Sequence, residues 1–571
     1  MANQRITRRR LLTLACAGAF SAGAFPPSSW AADPARPKKA VPAKPRPDAA
    51  DAFFTDGPLP RLHIDIAPSD LQALNGNPKT YVRAMVREAA PGRPDVVHCD
   101  VGVHLKGGPG SFRQTGDKPA LTLNFDKFVD GQSFQGLDKI HLNNSVQDGT
   151  YMCEYLGSYV FRAAGSPAPR VSNARVWLNG RDLGAFVLKE GFDAPLFRKF
   201  FRDKTGNLYE AAFSDVDGNL PVHLGKTVPE PAEPLDEAQV KQHLAALEAQ
   251  RKAAAARLKE LADAARDGDP KRRRERLEQV LDCDRFLTFL ACETLVAHWD
   301  GYHGVKNNYR IYDDPRTGRM VFLPQGMDQL FQRPDHPLFS PSCLLGQIVP
   351  QMPEYRDRYL DRMTEIRQSA FTPEALLAQL QRVSDRLAPL MREIGPDALK
   401  QHNEQTAGLR QRIVERVASV DRQLASHPRP LRFDAGGAAA LAAWSPAQRE
   451  GNAKADKVDA NGTPSLRVTC QSPGGKASWR TTVLLPQGRY TFEGRLKTVG
   501  VAAPQGPAAG AALRVSGNTS GPRVTGDHDW QTVRYDLDVS EPQRQVVLVC
   551  ELAAASGHVL FDPATLKLRR R

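Results

Sequence analysis

The segment HWDGYHGVKNNYRIY, residues 298–312, gathers two histidines, an aspartate, a lysine and two asparagines within its first eleven residues. A second aspartate, Asp328, follows in VFLPQGMDQLF. Carboxylate, amide, strand pair, carboxylate is an order that suits phosphoryl transfer. That chemistry needs a carboxylate to orient the acceptor hydroxyl, and hard oxygen donors for a divalent cation that bridges the phosphates. Asp300 would be the orienting carboxylate, and Asp328 with Asn307 and Asn308 would supply the oxygens. Plainer roles compete: the loop could merely join a helix to a strand, and Asp328 could cap a turn. His298 and His303 share metal-ligand spacing with no other histidine and read as structural, or as supports behind the residues that bind.

A second place for chemistry lies upstream. HLKGGPGSFRQTGDKPALTLNFDKF sets a glycine-rich turn between two strand-like runs. Backbone amides in such a turn can approach phosphate oxygens, and Lys106, Arg113 or Lys118 could neutralise the charge. The same pattern also makes an ordinary hairpin tip. Next, KIHLNNSVQDGTYMCEYLGSYVFRAAG joins a polar strand end, Asn143, Asn144 and Ser145, to a helix that carries Glu154. Asp148, just ahead of that helix, reads as its cap.

These side chains need elements to hold them. Residues 51–220 alternate short strand-like runs with turn signals, and a helix over residues 151–165 interrupts them. Asn179-Gly180 between apolar runs predicts a hairpin. The sum is an α+β region built on an antiparallel sheet. An Ala/Lys/Glu/Leu-rich stretch around residues 230–270 has a narrow apolar stripe and predicts an exposed helical insertion. The KRRRER run at 271–276 reads as a solvated helix face. A buried helix over 281–300 feeds the opening loop, NYRIYDDPRTGRMVFLP predicts a strand pair, and helices dominate 353–427. From 432 to 571 the chain changes to seven or so short alternating runs spaced by Gly, Pro and Asn, the pattern of an all-β sandwich. There Trp444, Trp479 and Trp530 could stack on sugars or fill the core.

At 571 residues the chain is too long for one core. Its 77 basic and 64 acidic residues leave a formal charge of +13, which favours anionic partners without choosing among them. No aromatic–basic interleaving or zinc-finger spacing points to nucleic acid. Residues 1–31 read as an export signal: TRRRLL resembles a twin-arginine motif, and Ser29-Trp30-Ala31 offers a cleavage site. The apolar stretch is too short to span a membrane. Residues 32–50 form a Pro/Ala/Lys tether. An exported location is therefore expected: periplasm, cell surface or medium. Among the cysteines, Cys470 and Cys550 fall in strand-like runs and form the best candidate disulfide.

The ordered set KGGPGSFRQ, KPALTLNFDKF, GLDKIHLNNSVQD, LGSYVFRAAGSPAPR, ARVWLNGRDLGAFVLKEGFD, GNLYE, HWDGYHGVKNNYRIYDD and FLPQGMDQLF resembles the CotH spore-coat kinase-like family. The resemblance implies an atypical, reduced protein-kinase-like domain over 51–427, followed by a jelly-roll sandwich over 432–571. The sandwich is similar to carbohydrate-binding modules in its GRYTFEGRLK, DWQTVRYDLDV and FDPATLKL strands. The family resemblance further implies ATP as phosphate donor, Mg²⁺ or Mn²⁺, and a secreted or cell-surface protein as acceptor. On it, Asp300 matches the catalytic-loop aspartate, Asn307 or Asn308 the metal-binding amide, and Asp328 the metal-binding aspartate. Lys189 and Glu190 in FVLKEGFD fall on the strand near the nucleotide. The chain departs from the family pattern in two places. PQGMDQLF replaces a Trp-Asp pair, which removes a carboxylate, and LTLNFDKF lacks a basic residue that bears on nucleotide affinity. The rival reading is a non-catalytic surface protein that keeps the scaffold and binds polysaccharide through its sandwich.

Overall fold

The structure is a computed structural model that describes residues 47–571 other than 212, 226–235, 428, 461–462, 473 and 503–508. The expected export signal and nearly all of the tether lie outside the described residues. After a short helix α1 (Asp51–Thr55), seven strands close into a barrel. They are β1 (Arg61–Ile66), β2 (Val82–Ala90), β3 (Arg93–Lys106), β4 (Ala120–Asn124), β5 (Lys139–Asn143), β6 (Val171–Leu178) and β7 (Arg181–Glu190). Helix α2 (Pro68–Gly76) joins β1 to β2, and α3 (Cys153–Ala163) joins β5 to β6. The barrel order is β1-β2-β3-β4-β5-β7-β6. Every pairing is antiparallel except β1 with β6, where Leu62 lies beside Val176. The expected antiparallel sheet is thus a closed barrel. Its closing pair is parallel and distant in sequence, which no local alternation can signal. The Asn179-Gly180 hairpin forms as expected, with both residues at positive φ, 47° and 76°.

Helix α4 (Ala194–Phe200) leads to a second sheet, ordered β11-β10-β8-β9 from β8 (Leu208–Glu210), β9 (Val222–His223), β10 (Tyr309–Asp314) and β11 (Arg319–Pro324). The predicted strand pair is β10 and β11. Seven helices complete this half: α5 (Glu237–Ala265), α6 (Pro270–Val280), α7 (Cys283–Leu295), α8 (Leu344–Gln351), α9 (Pro353–Arg367), α10 (Pro373–Ile394) and α11 (Pro396–Ser426). The insertion α5 keeps one face in solvent along its length, with Val240 and Leu244 exposed near its start. Its last turns bury Ala254, Leu258 and Leu261, and Tyr209 donates to the Ala254 carbonyl at 2.8 Å. The expected narrow apolar stripe is thus the face that packs, toward the C-terminus, while the rest of the helix stays in solvent. Arginines of the KRRRER run do lie on an outer face, pairing with Asp267 and Glu354.

The last region is all β: β12 (Ala438–Ala440), β13 (Ser445–Glu450), β14 (Ala453–Ala460), β15 (Thr463–Cys470), β16 (Gly475–Ala502), β17 (Gly510–Val515), β18 (Gly526–Ala554), β19 (Ser556–Phe561) and β20 (Lys567–Arg570). Strands β16 and β18 pair along their length, with a register shift between Pro486 and Gly488, around an apolar core. Cys470 and Cys550 are both buried free thiols in this core, not a disulfide. Cys550 sits on β18 opposite Trp479, while Cys470 ends β15 and approaches the Gly475 carbonyl, so the two belong to unpaired strands. Trp479 is core, its indole N–H donating to Arg467 at 3.0 Å. Trp444 packs on the same core, whereas Trp530 stays half-exposed beneath Arg495.

Candidate functional site

The ends of β3, β5 and β7 bring three polar side chains to one place beside α3. Side chains alternate along a strand, so Lys106, Asn143 and Lys189 leave the barrel on its outer face while Leu105, Leu142 and Leu188 fill it. Lys106 Nζ donates to the Asn143 carbonyl oxygen, and Asn143 Nδ2 donates to Glu154 Oε2 at 3.0 Å. Lys189 Nζ reaches Glu154 Oε1 at 3.2 Å, with both side chains buried. Glu154 belongs to α3, whose start is fixed by Asp148. That carboxylate accepts the backbone N–H groups of Thr150, Met152 and Cys153 at 2.9–3.0 Å, the capping role its position suggests.

Glu154 also accepts the Met327 backbone N–H at 2.7 Å, which pins the segment carrying Asp328 onto α3. Gly157 makes this approach possible: a Cβ there would stand 2.6 Å from Met327 Sδ. Arg310 on β10 completes the charge cluster, held by Glu210 at 2.8 Å. Burial of Glu154 alone would raise its carboxyl, but Lys189 and Lys106 outweigh it and hold the group low. Burial, with Lys189 close by, drops Lys106 to about 7. Burial and the neighbouring Glu154 and Asp148 lift Asp328 to about 6. The sequence marks Asn143 and Glu154 as polar neighbours of the glycine-rich turn without giving them a role and passes over Arg310, because their partners appear only when the fold makes them meet.

The loop 298–308 forms the second half. Asp300 is 9 % exposed and accepts N–H bonds from Asn307 at 3.2–3.3 Å and from Asn308 at 2.5 Å. Its backbone carbonyl takes the Asn308 N–H at 2.9 Å, which closes the loop on itself. Burial raises the Asp300 carboxyl against these bonds. Asn308 packs so tightly on Gly326 (φ 55°) that a Cβ there would lie 2.3 Å from Oδ1. Thus the Asp300–Asn308 unit sits against the strand end two residues before Asp328. His298 and His303 both turn to Glu293, fully buried on α7, with their ring Nδ1 atoms 3.4 Å from it. Glu293 further accepts the N–H groups of Tyr302 and His303 at 2.9 Å, so it shapes the loop.

Three expected site residues lie apart from this cluster. Glu190 follows Lys189 and therefore points to the opposite face, where it forms a buried double ion pair with Arg170 at 2.6–3.0 Å. Arg113 bonds within its own loop, to Gly110 at 3.1 Å, and pairs with Asp117 at 3.2 Å. Lys118 is wedged between the Tyr151 and Phe186 rings and donates to the Tyr151 hydroxyl at 3.2 Å.

The family model described as CotH kinase protein matches residues 103–414, which contain every residue named in this site. The chain belongs to the CotH family. Curated CotH relatives from Rhizopus delemar include Invasin CotH7 and Spore coat protein homolog 1. Each is 24 % identical over 296 residues, covering 50 % of this chain and 46 % and 44 % of the respective relatives. The chain thus spans about half the length of the curated relatives it matches. Two solved structures align with under a quarter of the chain. TmCBM61 in complex with β-1,4-galactotriose is 16 % identical, covers 23 % of this chain and 91 % of its own, and has a TM-score of 0.17. The CBM22-1 xylan-binding domain from Paenibacillus barcinonensis Xyn10C is 17 % identical, covers 22 % and 85 %, and scores 0.15. At those scores neither assigns a fold or a ligand. No helix among the described residues is long and apolar enough to cross a membrane.

Proposed function

We propose that this CotH protein is an exported phosphotransferase that moves the γ-phosphoryl group of ATP to a hydroxyl of a secreted or surface protein. The observation that carries the reading is the convergence of Lys106, Lys189 and Arg310 with Glu154 and Asp328 in one buried cluster. Three cations at the edge of a sheet suit a polyphosphate, and a Lys–Glu pair between strand and helix holds one of them in place.

Among the described residues, no three His, Cys, Asp or Glu side chains gather in a way that would hold a metal alone. Asp328 and the Asn308 amide nevertheless fit Mg²⁺ or Mn²⁺, which take hard oxygen donors and commonly use one or two carboxylates with the substrate's own phosphates. Donation of both amide N–H groups to Asp300 leaves the Asn307 and Asn308 oxygens as the ligating atoms. When bound, the cation would neutralise charge on the phosphates. Asp300, its carboxyl raised by burial, takes the proton of the acceptor hydroxyl. The acceptor O–P bond forms, the bond from the γ-phosphorus to the bridging oxygen breaks, and ADP leaves. The names of the Rhizopus relatives, invasin and spore coat protein, support a surface or secreted setting. Export already folded, by the twin-arginine route, would let nucleotide travel with the chain.

Purified full-length protein with Mn²⁺ and labelled ATP should phosphorylate itself or a secreted-protein mixture, and Mn·ATP should raise its Tm. No transfer together with no shift overturns the reading. A second role rests on Trp530, half-exposed under the Arg495 guanidinium: the C-terminal β region holds polysaccharide. Full-length protein should be retained on an insoluble glycan and Trp530→Ala should not; equal retention of the two, or retention of neither, removes this role.

A further inference from the structure

The loop that carries Asp300 is held from two sides, and on one of them two imidazoles meet. His303 is buried, with Nδ1 turned toward Glu293 on α7 at 3.4 Å and Nε2 toward His336 Nε2 at 2.6 Å. The two rings stand edge to face, their centres 4.8 Å apart. His336 belongs to the chain between Asp328 and α8, and that segment grips the same loop elsewhere. The Ser342 N–H donates to the His303 carbonyl at 2.9 Å, and its hydroxyl donates to the Gly304 carbonyl. Lys306 Nζ donates to Ser342 Oγ at 3.2 Å. Arg416, fully buried on α11, holds the segment's other end through the Pro334 carbonyl at 3.0 Å and the His336 carbonyl at 2.5 Å.

Between two ring nitrogens 2.6 Å apart there is room for one proton: one ring donates and the other accepts with its lone pair. A second proton would set two N–H groups head on, so it is taken up only if the contact opens. The surroundings disfavour that proton too. His336 is faced by His303, by Arg416 of α11 and by Arg333 of its own segment, with Glu293 behind His303 as the acidic group. Asp335, next to it in sequence, lies exposed. Burial, then His303 and the two arginines, push the His336 ring down to about 3 from an ordinary 6.5. Burial alone would raise Glu293, but His298 and His303 hold it down to about 2, so it keeps its charge as the medium turns acidic. We propose that the His303–His336 contact is a proton-operated clasp on the catalytic loop, closed in a neutral medium and opened by a second proton in an acidic one. Below pH 6.5 the open form binds more protons than the closed one, so each pH unit favours it by up to about tenfold. Opening frees residues 299–308 from residues 333–342 and loosens the hold on Asp300. Its effect on turnover rests on the phosphotransferase reading, whereas the clasp itself rests on the imidazole pair.

The test is hydrogen exchange of the full-length protein without nucleotide, followed by mass spectrometry from about pH 7.5 to 4.5 and corrected for intrinsic exchange. Peptides covering 299–308 and 333–342 should lose protection together below pH 6.5, by up to about tenfold per unit, while β16 and β18 hold theirs. His336→Gln tests the cause. Its side-chain carbonyl still accepts from His303, whether that ring is neutral or charged, and takes up no proton in this range. Protection of both segments should therefore become flat with pH. Wild-type protection that stays flat, or that falls equally throughout the chain, overturns the clasp even where the variant fails to fold. So does a folded His336→Gln protein that is as acid-labile as wild type. Phosphotransfer rates at the same pH values keep the two readings apart. Acid-labile protection with no transfer at any pH upholds the clasp and overturns the phosphotransferase, whereas transfer with flat protection does the reverse. Where both occur, the wild-type rate should fall more steeply below pH 6.5 than that of His336→Gln. Equal slopes overturn the link between clasp and turnover.

Discussion

Two regions of this molecule bury carboxylates among cations, and they do so to different ends. In the C-terminal β region, Glu551 is 1 % exposed and is met by Arg514, by Arg523 at 3.2 Å and by Lys476 at 3.7 Å. Glu493 likewise takes Arg569 at 2.6 Å, Arg534 at 3.0 Å and Lys567 at 3.5 Å. Burial pushes both carboxyls up, and the arginines more than offset it, so both stay low. These charges are satisfied by the chain itself and tie β16 to β18 and β20. Around Asp328 the opposite holds. Asp328 is raised to about 6, Lys106 is lowered to about 7, and Arg412 Nε is buried without a hydrogen-bond partner among the described residues. Charge held away from its ordinary protonation in a cleft marks a site kept ready for something the chain does not contain.

Removing one acid from each region should separate the two most sharply. Asp328→Ala is expected to cut phosphotransfer by on the order of a hundredfold or more, and to abolish the Mn·ATP melting shift. Its unliganded Tm should not fall, because the carboxylate it removes is disfavoured by burial. Asp300→Asn should lose turnover and keep the nucleotide shift, since Asp300 is not the nucleotide's anchor. Glu551→Gln should behave in reverse. It strands Arg514 and Arg523 as buried cations, which costs about 3–5 kcal/mol, with turnover unchanged where the protein is folded. Thermal melts and initial rates of the three variants measure all of this. A Glu551→Gln protein as stable as wild type would dissolve the contrast.

A smaller effect is expected at the strand–helix ion pair. Glu154→Gln keeps the shape and can keep the Met327 bond on its one oxygen, but sets an N–H group against the Asn143 amide and removes the charge that faces Lys189. Turnover should drop by about tenfold, with a higher KM for ATP and little change in the acceptor's KM. A change confined to the latter would place Glu154 with the acceptor instead.

What the sequence made legible follows from how locally each feature is encoded. The loop with Asp300, Asn307 and Asn308 lies within one short stretch, and the spacing to Asp328 is set by one hairpin, so both could be found by motif. The Asp148 cap and the Asn179-Gly180 turn depend on neighbours a few residues away and were equally readable. The roles of Glu154, Asn143 and Arg310 were not, because these residues come from α3, β5 and β10 and meet only once the barrel has closed. Glu190 shows the converse. It adjoins Lys189 in the motif, yet strand alternation sends it to the other face, to Arg170. The parallel β1–β6 closure and the unpaired state of Cys470 and Cys550 likewise depend on strand order, which local patterning leaves open.

The finest expected difference concerns protons. In the folded chain Lys106 loses its proton near pH 7, against an ordinary lysine value of 10.5. Between those values the unfolded chain carries the extra proton, so this residue makes stability rise with pH across that window, by at most about 1.4 kcal/mol per pH unit. The Tm gain from pH 7 to pH 9 should therefore be larger in wild type than in Lys106→Met, which has no such proton to lose. A bound polyphosphate supplies the missing countercharge and draws Lys106 back to its charged form. Nucleotide binding at pH 8 should then take up protons, seen as a heat that depends on the buffer's ionisation enthalpy, and Lys106→Met should take up fewer. Equal Tm gains and equal proton uptake in the two proteins would mean that Lys106 titrates as a free lysine. The cluster beside Asp328 would then be as self-satisfied as the one around Glu551.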